Sequence, residues 1–177
     1  MMESISIRQI SIDDIQQLQQ IGRQTFVETF SSVNSEENMT AYLNDGFSEE
    51  KLTAELTNAN SNFYFAELNG TVIGYLKLNF AEAQTESYND NALEIERIYV
   101  LKEFHGKRVG QLLYEKAIDV ANQKNADSIW LGVWEENKRA ISFYQKNGFI
   151  AFDKHIFKLG ADEQTDIMMK LNLMKAS

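Results

Sequence analysis

The segment Leu93-Glu94-Ile95-Glu96-Arg97-Ile98-Tyr99-Val100, running on into His105-Gly106-Lys107-Arg108-Val109-Gly110, decides how the rest of the chain reads. Residues 93–100 have the length and apolar content of a strand. A helix is expected over 109–125, with Leu112, Leu113, Ala117, Val120 and Ala121 on one side. A strand that feeds a glycine-bearing turn and then a helix leaves backbone N–H groups converging on one place. The helix dipole adds positive potential there, and a diphosphate fits such a place. Gly106 and Gly110 let the backbone approach a ligand closely, while Lys107 and Arg108 add positive charge. Many strand-to-helix turns share these features, so the pattern alone names no ligand.

Downstream, 128–134 is continuously apolar, as expected of a strand inside a sheet. Asn137 can cap a helix to 147 that Gly148 closes from the C′ position. Strands follow at 149–157 and 165–173. Upstream, strands at 62–68 and 71–80 are joined by Asn69-Gly70, a strong hairpin signal, and 81–91 reads as a polar loop. Residues 4–10 alternate as a first strand. Ser11 with Asp14 resembles a capping box ahead of Ile15, Leu18, Ile21, Phe26 and Phe30 at helical spacing. Two short helices open at Ser35 and Ser48, each followed by two Glu that suit the helix dipole. The order β-α-α-α-β-β-β-α-β-α-β-β predicts one α/β domain over 1–177, a mixed sheet layered with helices.

The 177 residues are 44% hydrophobic and 24% charged, a soluble globular profile. Without Cys there is no disulfide, thiolate metal site or cysteine nucleophile, and two His are too few for a His-rich zinc site; no metal is expected. The early residues lack an apolar leader core, and no run reaches membrane-span length. A cytoplasmic protein is expected, with no membrane partner. A formal charge of −9 argues against nucleic acid and favours cationic partners.

The 93–113 stretch resembles the acetyl-CoA loop of the GCN5-related N-acetyltransferase (GNAT) superfamily. Asn137-Lys138-Arg139-Ala140-Ile141-Ser142-Phe143-Tyr144-Gln145-Lys146-Asn147-Gly148-Phe149 resembles that superfamily's second cofactor motif. Residues 34–39, 93–99, 129–135 and 163–166 are similar to PaiA-type bacterial polyamine acetyltransferases. The resemblance implies a splayed mixed sheet of about seven strands with helices on both faces. It also implies acetyl-CoA as co-substrate and a small amine as acceptor, most closely a polyamine such as spermidine or spermine; a homodimer is compatible with it. Other readings are a protein N-terminal or other small-amine acetyltransferase, or a non-catalytic acetyl-CoA-binding regulator. His105 and Arg108 depart from the usual Gln/Arg-x-x-Gly-x-Gly/Ala loop, and Arg108 is tolerable there if its φ stays negative.

For cofactor binding the resemblance implies Ile98, Tyr99, Val100, His105, Gly106, Lys107, Arg108, Val109, Gly110, Asn137, Arg139 and Tyr144. Pantetheine would pair with Ile98 and Val100 like an added strand, with the Ile98 N–H meeting the oxyanion. Acetyl transfer from a thioester needs a neutral amine, a stabilised oxyanion and a stabilised thiolate. No covalent enzyme intermediate is required. The resemblance makes Tyr144 the acid toward the thiolate; alternatively it is an apolar-face residue. Alternation points Glu94 and Glu96 to one side, offering Glu96 as a proton relay and cation-binding group. Its alternative is an ion pair with a basic residue of a neighbouring strand. A bulge that the resemblance implies in this strand leaves the facing of Glu94 open. Glu28, Glu94 and Glu96 are the candidate amine contacts. Seven acids between Glu28 and Glu55 would steer a cation or simply be solvated, and Asn137 could equally be a plain helix cap.

Overall fold

The computed structural model describes residues 4–86, 88–159 and 162–173. Strands β1 (Ile5–Gln9), β2 (Ser61–Leu68), β3 (Thr71–Phe80), β4 (Ala92–Val100), β5 (Ser128–Trp134), β6 (Ile150–Leu159) and β7 (Asp162–Asn172) form one sheet in the order β1-β2-β3-β4-β5-β7-β6. The helices are α1 (Ile15–Phe30), α2 (Glu36–Gly46), α3 (Glu49–Leu56), α4 (Val109–Gln123) and α5 (Lys138–Lys146). β4 and β5 pair in parallel because α4 carries the chain back across the sheet. The other neighbouring strand pairs are antiparallel.

The elements come in the order the sequence predicts, and local chemistry sets their ends. Ser35 Oγ accepts from the Asn38 N–H and Ser48 Oγ from the Lys51 N–H, both at 3.1 Å. The Asp14 carboxylate accepts from the Ser11 N–H at 2.9 Å, which satisfies a backbone donor at the entry to α1. Gly148 has a φ of +95° just beyond α5, the left-handed turn that glycine adopts without penalty. The β6–β7 hairpin is longer than expected, its pairing continuing to Leu159↔Asp162. Residues 158–164 lack an apolar alternation to announce a strand; backbone pairing extends it there, with Lys158 3.9 Å from Glu163 opposite.

Helices cover both faces. Tyr75 lies beside Gly22 of α1, and Arg97 bonds Glu55 of α3, on one face. On the other, Tyr64 lies beneath Lys116 of α4 at 5.2 Å, and α5 packs on α4 through Tyr114 against Phe143. β3 is therefore buried without a break from Ile73 to Asn79. No helix among the described residues is long and apolar enough to cross a membrane.

Two irregularities meet in β4. The β3–β4 register moves from Lys77↔Arg97 to Leu78↔Ile95, leaving Glu96 as the extra residue of a β-bulge. Pairing between β4 and β5 covers three positions, Ala92↔Ser128 to Glu94↔Trp130, although both strands continue. The sheet is splayed from there onward.

β3 and β4 approach so closely that a Cβ at Gly74 would lie 2.7 Å from the Tyr99 carbonyl oxygen. Gly74→Ala should therefore cost about 1–3 kcal/mol of stability through backbone displacement, read as a lower urea midpoint. An unchanged midpoint would contradict this spacing.

Candidate functional site

The splay exposes backbone that a sheet normally consumes. The Leu101 N–H donates to Ile73 O at 2.9 Å, so Leu101, Tyr99 and Arg97 turn their backbone groups toward β3. By alternation, those of Ile98 and Val100 point away from β3, into the gap. The Val100 carbonyl is met there by His105 Nε2 at 2.9 Å, a contact that fixes that ring nitrogen as the donor. The rest of this edge can receive an extended ligand carrying amides, as an added strand would be received. An open cleft of about 250 Å³ lies at this point, with Val100 and His105 on the β4 side, Trp134 and Asn137 on the β5 side, and Glu28 on α1.

The turn before α4 leaves backbone donors without helical acceptors. The Leu112 N–H makes a helical bond to Arg108 O, so the N–H groups just before it lie in the first turn, where helical acceptors are missing. A Cβ added at Gly106 or Gly110 would meet nothing within 4 Å, so a ligand can reach the backbone at both. Lys107, Arg108 and Arg139 are exposed, whereas Val109 is a core residue that can offer only its backbone. Arg108 departs from expectation: its φ is +68°, not negative. It takes the left-handed conformation that the usual glycine would adopt freely, and a Cβ there costs roughly 1–2 kcal/mol.

Beneath the splay lies a network that the sequence reading left unassigned. Lys77 Nζ donates to Glu96 at 2.7 Å and to Glu55 at 3.1 Å, and Arg97 reaches Glu55 at 3.0 Å and Glu96 at 3.1 Å. Asn79 Nδ2 bridges Glu94 and Glu96 at 3.0 and 2.8 Å. Glu96 thus makes the ion pair weighed against a catalytic role. Burial would raise its pKa, but the Arg97 and Lys77 charges and hydrogen bonds from Lys77 and Asn79 outweigh burial and hold it at about 2. Both acids do face one side, yet Glu94 is 3% exposed and bound by Asn79 and Thr85. Burial pushes Glu94 upward against those hydrogen bonds. It is packed away from any free amine contact. Lys77 and Asn79, polar residues on alternate positions of an apolar strand, were the available signal for this network.

Of the seven N-terminal acids, Glu36, Glu37, Asp45, Glu49 and Glu50 are exposed and solvated, and Glu55 belongs to the buried network. Glu28 lines the cleft and accepts from the Lys102 N–H at 3.0 Å. Asn137 both caps α5, accepting from the Ala140 N–H at 3.2 Å, and lines the cleft. Tyr144 is buried beside Phe143 and Phe149. Burial drives its phenol pKa upward, so it stays protonated at neutral pH. The Tyr99 phenol is likewise raised chiefly by burial.

Glu96 has a folded pKa below its unfolded value, so its stabilisation is present above about pH 4.5 and is lost as pH falls toward 2. Glu94 has the opposite sign. Urea-unfolding free energies should therefore fall less across that window in Glu96→Gln than in the unsubstituted protein; parallel curves would exclude the ion pair as a source of acid sensitivity. Arg108→Gly should relieve backbone strain but add unfolded-state entropy, for a net gain of roughly 0.5–1 kcal/mol. A loss of stability would show that the Arg108 side chain contributes contacts exceeding the strain.

Comparison with known proteins agrees with this geometry. Residues 18–149 match the model of the acetyltransferase (GNAT) family. The chain is 40% identical over 173 residues to an uncharacterized N-acetyltransferase of Lactobacillus delbrueckii subsp. lactis, covering 98% of this chain and 100% of that one. It is 31% identical to the spermidine N(1)-acetyltransferase of Thermoplasma acidophilum, over 82% of this chain and 88% of the relative. The crystal structure of the PaiA N-acetyltransferase of Thermoplasma acidophilum in complex with coenzyme A superposes with a TM-score of 0.79 at 28% identity, covering 96% of this chain and 99% of that one. With its splayed seven-stranded sheet, open β4 edge and glycine-bearing turn, the chain belongs to the GNAT family and is an N-acetyltransferase that uses acetyl-CoA.

Proposed function

We propose that the acceptor is a small cationic amine, a polyamine such as spermidine or spermine, which attacks directly in a ternary complex. The observation that carries the reaction is the outward backbone edge of Ile98 and Val100 at the cleft that His105, Trp134, Asn137 and Glu28 line. Acetyl-CoA supplies an activated acyl group. The Ile98 N–H is oriented to stabilise negative charge developing on the acyl oxygen, the turn at 105–110 holds phosphate, and Tyr144 gives its proton to the departing sulfur. Ionised Glu96, its pKa held at about 2, lends negative potential to the amine's path, and the amine attacks neutral after losing its proton to solvent.

The amine class is supported by the spermidine acetyltransferase among the relatives and by Glu28 in the cleft. The proposal includes a cytoplasmic location. A homodimer is compatible with edge strand β6, which exposes Ile150 and Ile156. A thiol-release screen over spermidine, spermine, monoamines and N-terminal peptides tests the acceptor class; turnover on peptides alone would reject it. Tyr144→Phe should lower kcat tenfold or more with little change in the acetyl-CoA KM, because the hydroxyl acts only as the thiolate develops. Near-unchanged kcat at saturation would remove Tyr144 as the limiting acid.

A further inference from the structure

β5 is an interior strand, buried from Ser128 to Leu131 and again at Val133, yet Gly132 between them is exposed. Solvent reaches the middle of such a strand only where its face is left uncovered. Directly opposite residues of antiparallel strands share a face, so Gly132 stands with Met168, and Trp134 with Asp166. Gln164, two residues along β7, shares that face. A Cβ on Gly132 would lie 3.6 Å from Asp166 Oδ2, so this carboxylate borders the place the missing side chain leaves empty. Trp134, with Phe30 of α1 at 5.6 Å between ring centres, stands on the α1 side.

A second observation points to a ligand. Gln164 is only 9% exposed, and its Oε1 has no hydrogen-bond partner among the described residues. Its amide nitrogen reaches Asn34 Oδ1 at 3.5 Å, which leaves the oxygen as the free end. A buried acceptor without a donor is unfavourable, and a ligand bearing N–H groups would satisfy it. Two residues along the same face is the half-buried Asp166 carboxylate, whose attraction for a cation is less screened than at the open surface. Flanking Asp166 are the His155 imidazole, opposite it on β6, and Glu86, which contacts His155 at 3.1 Å. An ammonium group, with three donors and no acceptor, matches this set. A neutral amide or a carboxylate would bring an acceptor against Asp166.

We infer that the depression over Gly132 holds a non-reacting ammonium of the acceptor, with Asp166 and Gln164 Oε1 as its hydrogen-bond acceptors. The inference rests on the amine-acetylation reading and deepens it. The acceptor then carries at least two nitrogens, one neutral at the splay and one charged over β5. The contacts choosing it are on β7 rather than on the acid-rich helices α2 and α3.

The test uses spermidine, with 1-butylamine as the acceptor lacking a second charge. Calorimetry gives spermidine and acetyl-CoA binding, and thiol release gives the KM of each amine. Asp166→Asn should weaken spermidine binding about tenfold and Gln164→Leu several-fold, with butylamine KM and acetyl-CoA affinity within about twofold of the original. Gly132→Val places a strand-compatible side chain in the depression and should abolish spermidine binding, while retained acetyl-CoA binding reports a folded protein. Unchanged spermidine affinity in Asp166→Asn and Gly132→Val, both still binding acetyl-CoA, would overturn the inference, as would no spermidine binding by the unsubstituted protein. Spermidine binding lost in the variants, but no thiol release by the unsubstituted protein with any amine, would support the subsite and reject the amine-acetylation reading.

Discussion

Pairing between β4 and β5 ends at Glu94 and Trp130, and the backbone groups stranded by that interruption shape the site. In an unbroken sheet the Ile98 and Val100 amides would bond the next strand. Here they face a cleft, and such groups need water, a side chain or a ligand to offset their desolvation. His105 takes one of them, the Val100 carbonyl. The bulge at Glu96 sits where β4 leaves β5, so the extra residue and the divergence of the strands coincide.

The bulge is held by charge. Lys77 is only 5% exposed, and its ammonium is tolerable there because Glu96 and Glu55 both lie within bonding distance. Arg97 bridges the same two carboxylates and ties α3 to β4. A buried pair of this kind is weak evidence for stability, since desolvation offsets much of its attraction. Its geometric effect is clearer: β3, β4 and α3 cannot slide past one another without stripping a partner from a buried charge. The protein's net negative charge is therefore expressed elsewhere, on exposed acids of α2 and α3, while the ground beneath the splay is nearly balanced.

The same economy of partners separates the two glutamates of β4. They share the Asn79 amide, yet Glu96 faces two cations and stays ionised, whereas Glu94 faces neutral donors and burial favours its protonated form. Arg108 shows the complementary trade at the turn before α4. A glycine would relax the backbone there, and arginine accepts a strained φ while adding an exposed positive charge to the turn.

Element boundaries, caps and the Asn69-Gly70 hairpin could be read from the sequence because each depends on contacts within a few residues. Ser35, Ser48 and Asn137 cap their helices through bonds three residues away, and alternation placed Glu94 and Glu96 on one side. The family motifs carried the splay and the cofactor. What the sequence could not decide was which distant group arrives at each polar atom. The ion pair on Glu96 comes from residues on β3 and β4, and the cations that hold it also bind α3; the donor to Val100 comes from across a turn. The exposure of Gly132 depends on what fails to cover β5. The sign of φ at Arg108 appears only in the folded turn before α4. Register and packing decide these, and neither is encoded in periodicity, because a one-residue bulge changes every partner beyond it while leaving the local pattern intact.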